Sequence, residues 1–260
     1  MLHAFDDLRG YAISAKDGEL GSVKDLYFDD STWAARYLVA DTRRWLPGRK
    51  VLLAPEAVDQ PDAKEEVLRV SLTSEQVRNS PDIAEDAPIS AEQETALHDF
   101  YQWRPYWVVY PGYAGPIAFP PLDMRGDSEP VIEEDDGPHL RSSTEVEGYD
   151  IATRDGNLGH VETFLVDDED WVIRYLVVDT RNWLPGRKVL VSPDWIDRVS
   201  WTDRTVWLDL EREQVKNSPP YDPAEPVTSE YESLLFGHYG RPLYWTVGSA
   251  AKPESLIQQG

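Results

Sequence analysis

The stretch Arg36-Tyr-Leu-Val-Ala-Asp-Thr-Arg-Arg-Trp-Leu-Pro-Gly-Arg-Lys-Val-Leu52 returns as Arg174-Tyr-Leu-Val-Val-Asp-Thr-Arg-Asn-Trp-Leu-Pro-Gly-Arg-Lys-Val-Leu190, with fifteen of 17 positions identical at a constant offset of 138. The same offset carries Gly10-Tyr11 onto Gly148-Tyr149, Asp17-Gly18 onto Asp155-Gly156, Asn79-Ser80-Pro81 onto Asn217-Ser218-Pro219, and Trp107 onto Trp245. A gapless match over about 80 residues marks two copies of one domain rather than a stack of short units.

Outward from that stretch, each copy opens with a strand-like segment, Tyr11 to Ser14 or Tyr149 to Ala152. The Asp-Gly pair that follows predicts a type I′ hairpin turn, with positive φ at both central residues. A second strand comes next, Gly21 to Phe28 or Gly159 to Val166, in which Val23 and Val161 alternate with polar neighbours. An acidic turn leads into the Arg-Tyr-Leu-Val strand. Pro47 and Gly48 then fit the second and third positions of a type II turn before Lys50 to Leu53. With Val67 to Leu72 or Thr205 to Leu210, each copy holds roughly five or six short strands, the pattern of a small antiparallel barrel or sandwich. Thr73 with Gln76 and Ser90 with Gln93 have capping-box spacing, so short helices are expected there, and again after Thr228.

The predicted divisions are residues 5–115 and 143–250 for the two repeats with their helical, aromatic-rich tails, 116–142 for an acidic linker, and 251–260 for a C-terminal tail. The linker carries Asp127, Glu129, Glu133, Glu134, Asp135 and Asp136 among scattered Pro and Gly. Like charge at low hydrophobicity favours a solvated chain.

The net charge is −23, from 48 acids against 25 bases. That balance repels nucleic-acid phosphates and anionic lipid surfaces and argues against both as partners. The absence of cysteine removes disulfides, thiol catalysis and thiolate metal sites. His3, His98, His139, His160 and His238 share no ligand spacing, so no metal and no cofactor is expected. No nucleophile-elbow, dinucleotide or zinc-protease motif occurs, and the expectation is a protein that is not an enzyme. Met1 to Gly10 lacks an apolar signal core, and no run reaches the roughly 18 apolar residues of a membrane span. A cytoplasmic protein is expected.

The Asp-Gly-x-x-Gly-x-Val opening, the acidic turn, the Arg-Tyr-Leu-Val strand and the Trp-Leu-Pro-Gly-Arg-Lys-Val-Leu element resemble a PRC-barrel domain, twice over, at about residues 9–81 and 147–219. This is the small β-barrel shared by the photosynthetic reaction-centre H subunit and the C-terminal half of the ribosome maturation factor RimM. The segments Phe100 to Trp107 and His238 to Trp245 look like the tails of stand-alone bacterial PRC-barrel proteins. The resemblance implies a mainly β fold of two small antiparallel PRC-type barrels, and an adaptor role, since the family's established members are adaptors. The membrane helix of the H subunit and the separate N-terminal barrel of RimM have no counterpart here, so no specific partner carries over.

The aromatic tails are the strongest functional candidates. Tyr101, Trp103, Tyr106 and Trp107, with Tyr110 and Tyr113 beyond, and Tyr239, Tyr244 and Trp245 in the second copy, are the residue types that dominate interfaces. They could equally plug their own barrels. Trp45 and Trp183 are expected to cover barrel ends and to join the interface. A second candidate patch is basic: Arg43, Arg49 and Lys50, with Arg181, Arg187 and Lys188. A phosphate loop would precede a helix, whereas this one precedes a strand. Asp41 with Arg36 or Arg43 reads as a structural ion pair in an Asx-type turn. The acidic turns Asp29-Asp30 and Asp167 to Asp170 read as solvated hairpin tips. Two duplicated domains are expected to pair across a pseudo-twofold axis, giving a non-enzymatic scaffold that binds a protein partner and could self-associate. The alternatives are a ligand-binding module at the basic turn and a peripheral accessory of a membrane complex.

Overall fold

The computed structural model describes residues 1–84, 89–109, 131–132, 140–180 and 187–247. Repeat one and its tail hold β1 (Leu2–Ala4), α1 (Phe5–Leu8), β2 (Ala12–Ala15), β3 (Gly18–Asp29), β4 (Ala35–Asp41), β5 (Val51–Leu53), β6 (Val67–Arg69), α2 (Ser74–Asn79), α3 (Ala91–Tyr101) and β7 (Val108–Val109). After β8 (Val131–Ile132), repeat two holds β9 (Leu140–Ser142), α4 (Ser143–Val146), β10 (Asp150–Thr153), β11 (Gly156–Asp167), β12 (Ile173–Asp179), β13 (Lys188–Val191), β14 (Ile196–Ser200), β15 (Thr205–Leu208), α5 (Arg212–Lys216), α6 (Ser229–Tyr239) and α7 (Tyr244–Val247). Tyr110, Tyr113, Arg181, Trp183, most of the acidic linker and the tail 251–260 lie outside the described residues.

The protein is mainly β, with two principal sheets. One runs β5-β4-β3-β2-β6 with β9 added to β3, and the other β13-β12-β11-β10-β15-β14 with β1 added to β11. Among the described residues neither sheet closes into a barrel. Nor is the pairing antiparallel throughout, as short strands in series suggest: β2 pairs with β6, and β10 with β15, in parallel. The long excursion between those partners allows the crossover that parallel strands require.

The hairpin turns differ from the type I′ expectation. Lys16 and Asp17 form the loop, Ala15 pairs with Gly18, and the only positive φ in that region belongs to Gly18 (154°). Asp17 is occupied elsewhere: its carboxylate accepts the Ser74 amide at 2.7 Å, capping the start of α2. Asp155 does the same for Arg212 at 2.8 Å. Gly48 has φ 77°, as the type II turn requires. Thr73 and Ser90 make the expected capping boxes, and Thr228 caps α6. At Gly21 and Gly159 a Cβ would lie 1.9 and 2.0 Å from the carbonyl oxygens of Asp41 and Asp179, so the strand crossing admits no side chain.

The repeats exchange their first segments. β1 pairs with β11 in the register Leu2 to Asp167, and β9 pairs with β3 in the register Leu140 to Asp29. Both arms and both partners are related by the offset of 138. β3 and β11 each carry bulges at equivalent places, Val23/Asp25 and Tyr27/Phe28, Val161/Thr163 and Leu165/Val166. Bulges bend a strand, and here they carry its second half toward the arm from the other repeat.

Two contacts join residues to their own counterparts, which places them on a local twofold axis. Ala34 bridges Val172, with the Ala35 amide on the Trp171 carbonyl at 2.7 Å and the Ile173 amide on the Trp33 carbonyl at 2.9 Å. Arg9 donates to Glu147 at 2.5 Å. Trp33 and Trp171 sit in the left-handed region, φ 58° and 55°, an uncommon state for a bulky residue, and each gives its carbonyl to the opposite repeat. Phe28 stacks on Trp33 and reaches Phe164 across the axis at 5.8 Å between centroids. One continuous apolar core therefore spans both repeats.

The acidic turns are solvated tips only at Glu169 and Asp170, which are exposed; Asp29, Asp30, Asp167 and Asp168 are buried or half-buried. Asp29 is buried and accepts from the Ser31 and Thr32 amides, the Ser31 hydroxyl and Arg36. Asp30 holds Arg141 of the second arm at 2.9 Å, and Asp168 holds His3 of the first at 2.8 Å. The acids were legible as turns, but the arms that engage Asp30 and Asp168 come from the far repeat. Asp25 clamps the second arm: its carboxylate accepts Ser142 Oγ at 2.5 Å, Ser143 Oγ at 2.7 Å, and Thr144 Oγ1 and N at 3.1 and 3.2 Å. No helix among the described residues is long and apolar enough to cross a membrane.

Candidate functional site

A cavity of about 340 Å³ opens where the two repeats meet. Its wall contains Thr32 with Asp170, Ala34 with Val172, Arg36 with Arg174, Glu56 with Asp194, and Tyr106 with Tyr244, each pair related by the offset of 138. The cavity therefore straddles the twofold axis. The surface between the charged groups is apolar, from Ala34, Ala35, Ala54, Pro55 and Val172. A more polar hollow of about 380 Å³ adjoins it, sharing Thr32, Val172, Arg174, Asp194 and Tyr244.

Each repeat builds its side of the wall the same way. In repeat one, α3 presents Glu94, whose Oε1 accepts Tyr37 at 2.9 Å and Tyr106 at 2.7 Å. The Arg36 guanidinium lies 4.1 Å from the Tyr106 ring centroid and bonds Asp29 at 2.9 Å. In repeat two, Glu232 accepts Tyr175 at 2.7 Å and Tyr244 at 3.1 Å. Arg174 lies 4.4 Å over Tyr244 and pairs with Asp170. Burial pushes Tyr37, Tyr106, Tyr175 and Tyr244 upward, so all four phenols stay protonated as donors. Burial also raises the Glu94 carboxyl, against the pull of the Tyr106 and Tyr37 hydroxyls and Arg36. At Asp29 burial again works upward, but the bonds from Ser31 and the Arg36 charge outweigh it and the carboxyl ends below its ordinary value.

Beside the cavity the repeats carry unlike buried residues at one position. His98, 4% exposed, shares a 2.7 Å hydrogen bond with Tyr37 and is ringed by Trp103, Tyr106 and Trp107 at 5.9, 6.0 and 4.8 Å. Burial pushes its pKa down to about 4, so it is neutral at neutral pH. Its counterpart is Phe236, 6.4 Å from Tyr175 and 6.1 Å from Tyr244.

The described tail aromatics pack on their own repeats. Tyr101 stacks on Trp103 at 4.2 Å, and Tyr239 packs against Trp195 at 4.5 Å. Tyr106 and Tyr244 reach the cavity, Trp107 packs on His98, and Trp245 remains 41% exposed beside Tyr244. Trp45 donates its indole N–H to the Leu20 carbonyl at 2.7 Å, closing its own repeat rather than facing the other.

The basic patch serves mostly structural ends. Arg49 donates to the carbonyls of Arg78, Ser80 and Pro81 at 2.9, 2.7 and 3.2 Å, gripping the end of α2, and Arg187 bonds the equivalent Ser218 carbonyl. Lys188 bonds Glu162 at 2.6 Å, and Lys50 is buried over the Tyr27 ring at 5.2 Å. Arg43 is exposed and bonded to Asp41, whose carboxyl that contact lowers to about 2. Arg43, Arg49 and Lys50 do share a small hollow of about 100 Å³, with Asp25 and Asp41 in its wall. Arg36 belongs to Asp29 and not to Asp41.

Tyr37, Glu94, His98 and their counterparts belong to no catalytic or ligand-binding motif in the sequence. A signal existed: Arg36, Tyr37, Glu94 and Tyr106 all recur at the offset of 138 while the tails around them diverge. Comparison with family models gives no match for this chain, and comparison with curated proteins gives none.

Proposed function

We propose that this chain is a tandem PRC-barrel protein, each open sheet with its helices being one barrel-type repeat, and that it acts in the cytoplasm as a non-enzymatic adaptor for a protein partner. The reading draws on the paired Arg-Tyr-Leu-Val and Trp-Leu-Pro-Gly-Arg-Lys-Val-Leu elements and on the mainly β architecture. The observation that carries it is the arm exchange. It locks both repeats into one body and brings residues of both to a single composite face around Tyr106, Tyr244 and Trp245. A composite face gives a partner a reason to require both copies.

The test is a photo-crosslinking amino acid at exposed Trp245, compared with the same residue at exposed Glu65, which lies outside the cavity wall. Discrete protein adducts confined to position 245 in host cells are expected. Equal labelling at both positions, or no protein adduct at 245, defeats the adaptor reading.

A further inference from the structure

We propose that the cavity on the twofold axis is a binding site for a small, uncharged, planar molecule with an amide-like edge, one hydrogen-bond acceptor beside one donor. This inference does not rest on the adaptor reading.

Charge decides the class. Arg36 is neutralised by Asp29, Arg174 by Asp170, and Glu56 lies beside Arg104. An anion would enter a wall whose cations are already paired, in a chain of net charge −23. A cation would meet guanidinium groups on both sides, and the Asp194 carboxylate at the mouth is exposed to water, where an ion pair gains little. Desolvating an ion without a buried counter-charge is costly, and a neutral molecule avoids that cost.

Hydrogen-bonding capacity decides the edge. Arg36 bonds Asp29 and Thr32 through Nη2, and Arg174 bonds Asp170 through Nη2, so among the described residues each keeps Nη1 as a donor. The Asp194 carboxylate, in the wall and exposed, accepts no hydrogen bond from any described residue. The cavity thus offers donors inside and an acceptor at its mouth. Guanidinium–tyrosine stacks on both sides and the small apolar residues between them suit a flat ring. The volume falls within the roughly 300–1,000 Å³ of ligand pockets.

Benzamide, benzoate and benzamidine are near-isosteric planar probes with neutral, negative and positive heads. We would titrate each into the full-length protein and follow ligand-observed NMR saturation transfer, with Asp194→Ala as the variant. Benzamide is expected to bind in the millimolar range, about tenfold tighter than either ion, and to weaken about fivefold in the variant, the worth of one ordinary hydrogen bond. A preference for benzoate or benzamidine, no binding of any probe, or benzamide affinity indifferent to Asp194→Ala each overturns the proposal. Circular dichroism of the variant checks that it folds. A second variant, Tyr244→Ala, should also weaken benzamide by opening the wall; unchanged affinity there overturns the placement.

Discussion

Replacing Asp25 with alanine should unfasten the second arm from the first repeat. The carboxylate is only 9% exposed, and it accepts Ser142 Oγ at 2.5 Å, Ser143 Oγ at 2.7 Å, both donors of Thr144, and the Leu26 amide at 2.8 Å. Ser142 is half-buried and Thr144 is exposed, and water can replace part of what they lose. Ser143 is fully buried. Hydrogen bonds to a charged acceptor contribute about 1.5–3 kcal/mol, and a stranded buried donor adds about 1–3 kcal/mol, so a total near 3–5 kcal/mol is expected once partial rehydration is allowed for. Asparagine at the same position keeps an acceptor and should cost about 1–2 kcal/mol. The counterpart of Asp25 is Thr163, a buried hydroxyl with no partner among the described residues. Thr163→Val should therefore be neutral, or stabilise by up to about 1 kcal/mol. Urea midpoints at constant m-value give the free energies. Amide exchange over residues 140–147 locates the damage, because the arm is expected to open before the sheets do. If Asp25→Ala lay within about 0.5 kcal/mol of the parent, or if the arm amides kept their protection, the clamp would not be what holds the repeats together.

His98→Phe, which copies Phe236, should flatten the acid side of the stability curve. The folded pKa of about 4 lies below the ordinary value of 6.5, so the unfolded chain takes the proton first, and the parent loses up to about 3 kcal/mol relative to the variant as pH falls from 6.5 to 4. Glu94, raised by burial, slopes the opposite way in both proteins and largely cancels in the difference, which chemical denaturation across that range measures. Gly21→Ala should be severely destabilising, by more than about 3 kcal/mol in thermal or chemical melts, because its Cβ would meet the Asp41 carbonyl at 1.9 Å with only backbone to yield. Arg49→Ala should cost about 1–2 kcal/mol through the freed carbonyls at the end of α2, and should leave inorganic phosphate as poor a ligand as before when the two proteins are compared by calorimetry.

Much of each repeat was legible because its signals are local. Periodicity marked the strands, Thr73 and Ser90 marked helix starts, and Pro47-Gly48 marked a turn that needs positive φ. The Asp-Gly turns misled because Asp17 and Asp155 answer to a helix 57 residues later in the chain, a demand invisible in the dipeptide. The arms were hidden for a related reason. Leu2 to Leu8 and Leu140 to Val146 share little sequence, so the offset of 138 is silent there, although the backbones keep it in register. The cavity was hidden because Arg36 and Arg174 take meaning only once the axis brings them to one wall.

The two arm locks are also chemically unlike, and that difference dictates which arm goes where. Ser142, Ser143 and Thr144 face Asp25, while their counterparts Ala4, Phe5 and Asp6 lie against the strand that carries Thr163. Were the first arm to fold back on its own repeat, or on that of a second molecule, Asp6 would fall where Thr144 donates two hydrogen bonds, setting its carboxylate against that of the buried Asp25. Were the second arm to lie on β11, Ser143 would lose its acceptor and the space filled by Phe5 would stand empty. Each wrong pairing strands a buried polar group or opens a void, at a cost of several kcal/mol by either route. A duplicated domain whose arms were interchangeable would link chain to chain. Divergence at these few positions confines the exchange to one pair of repeats, and so keeps the composite face intact in a single molecule.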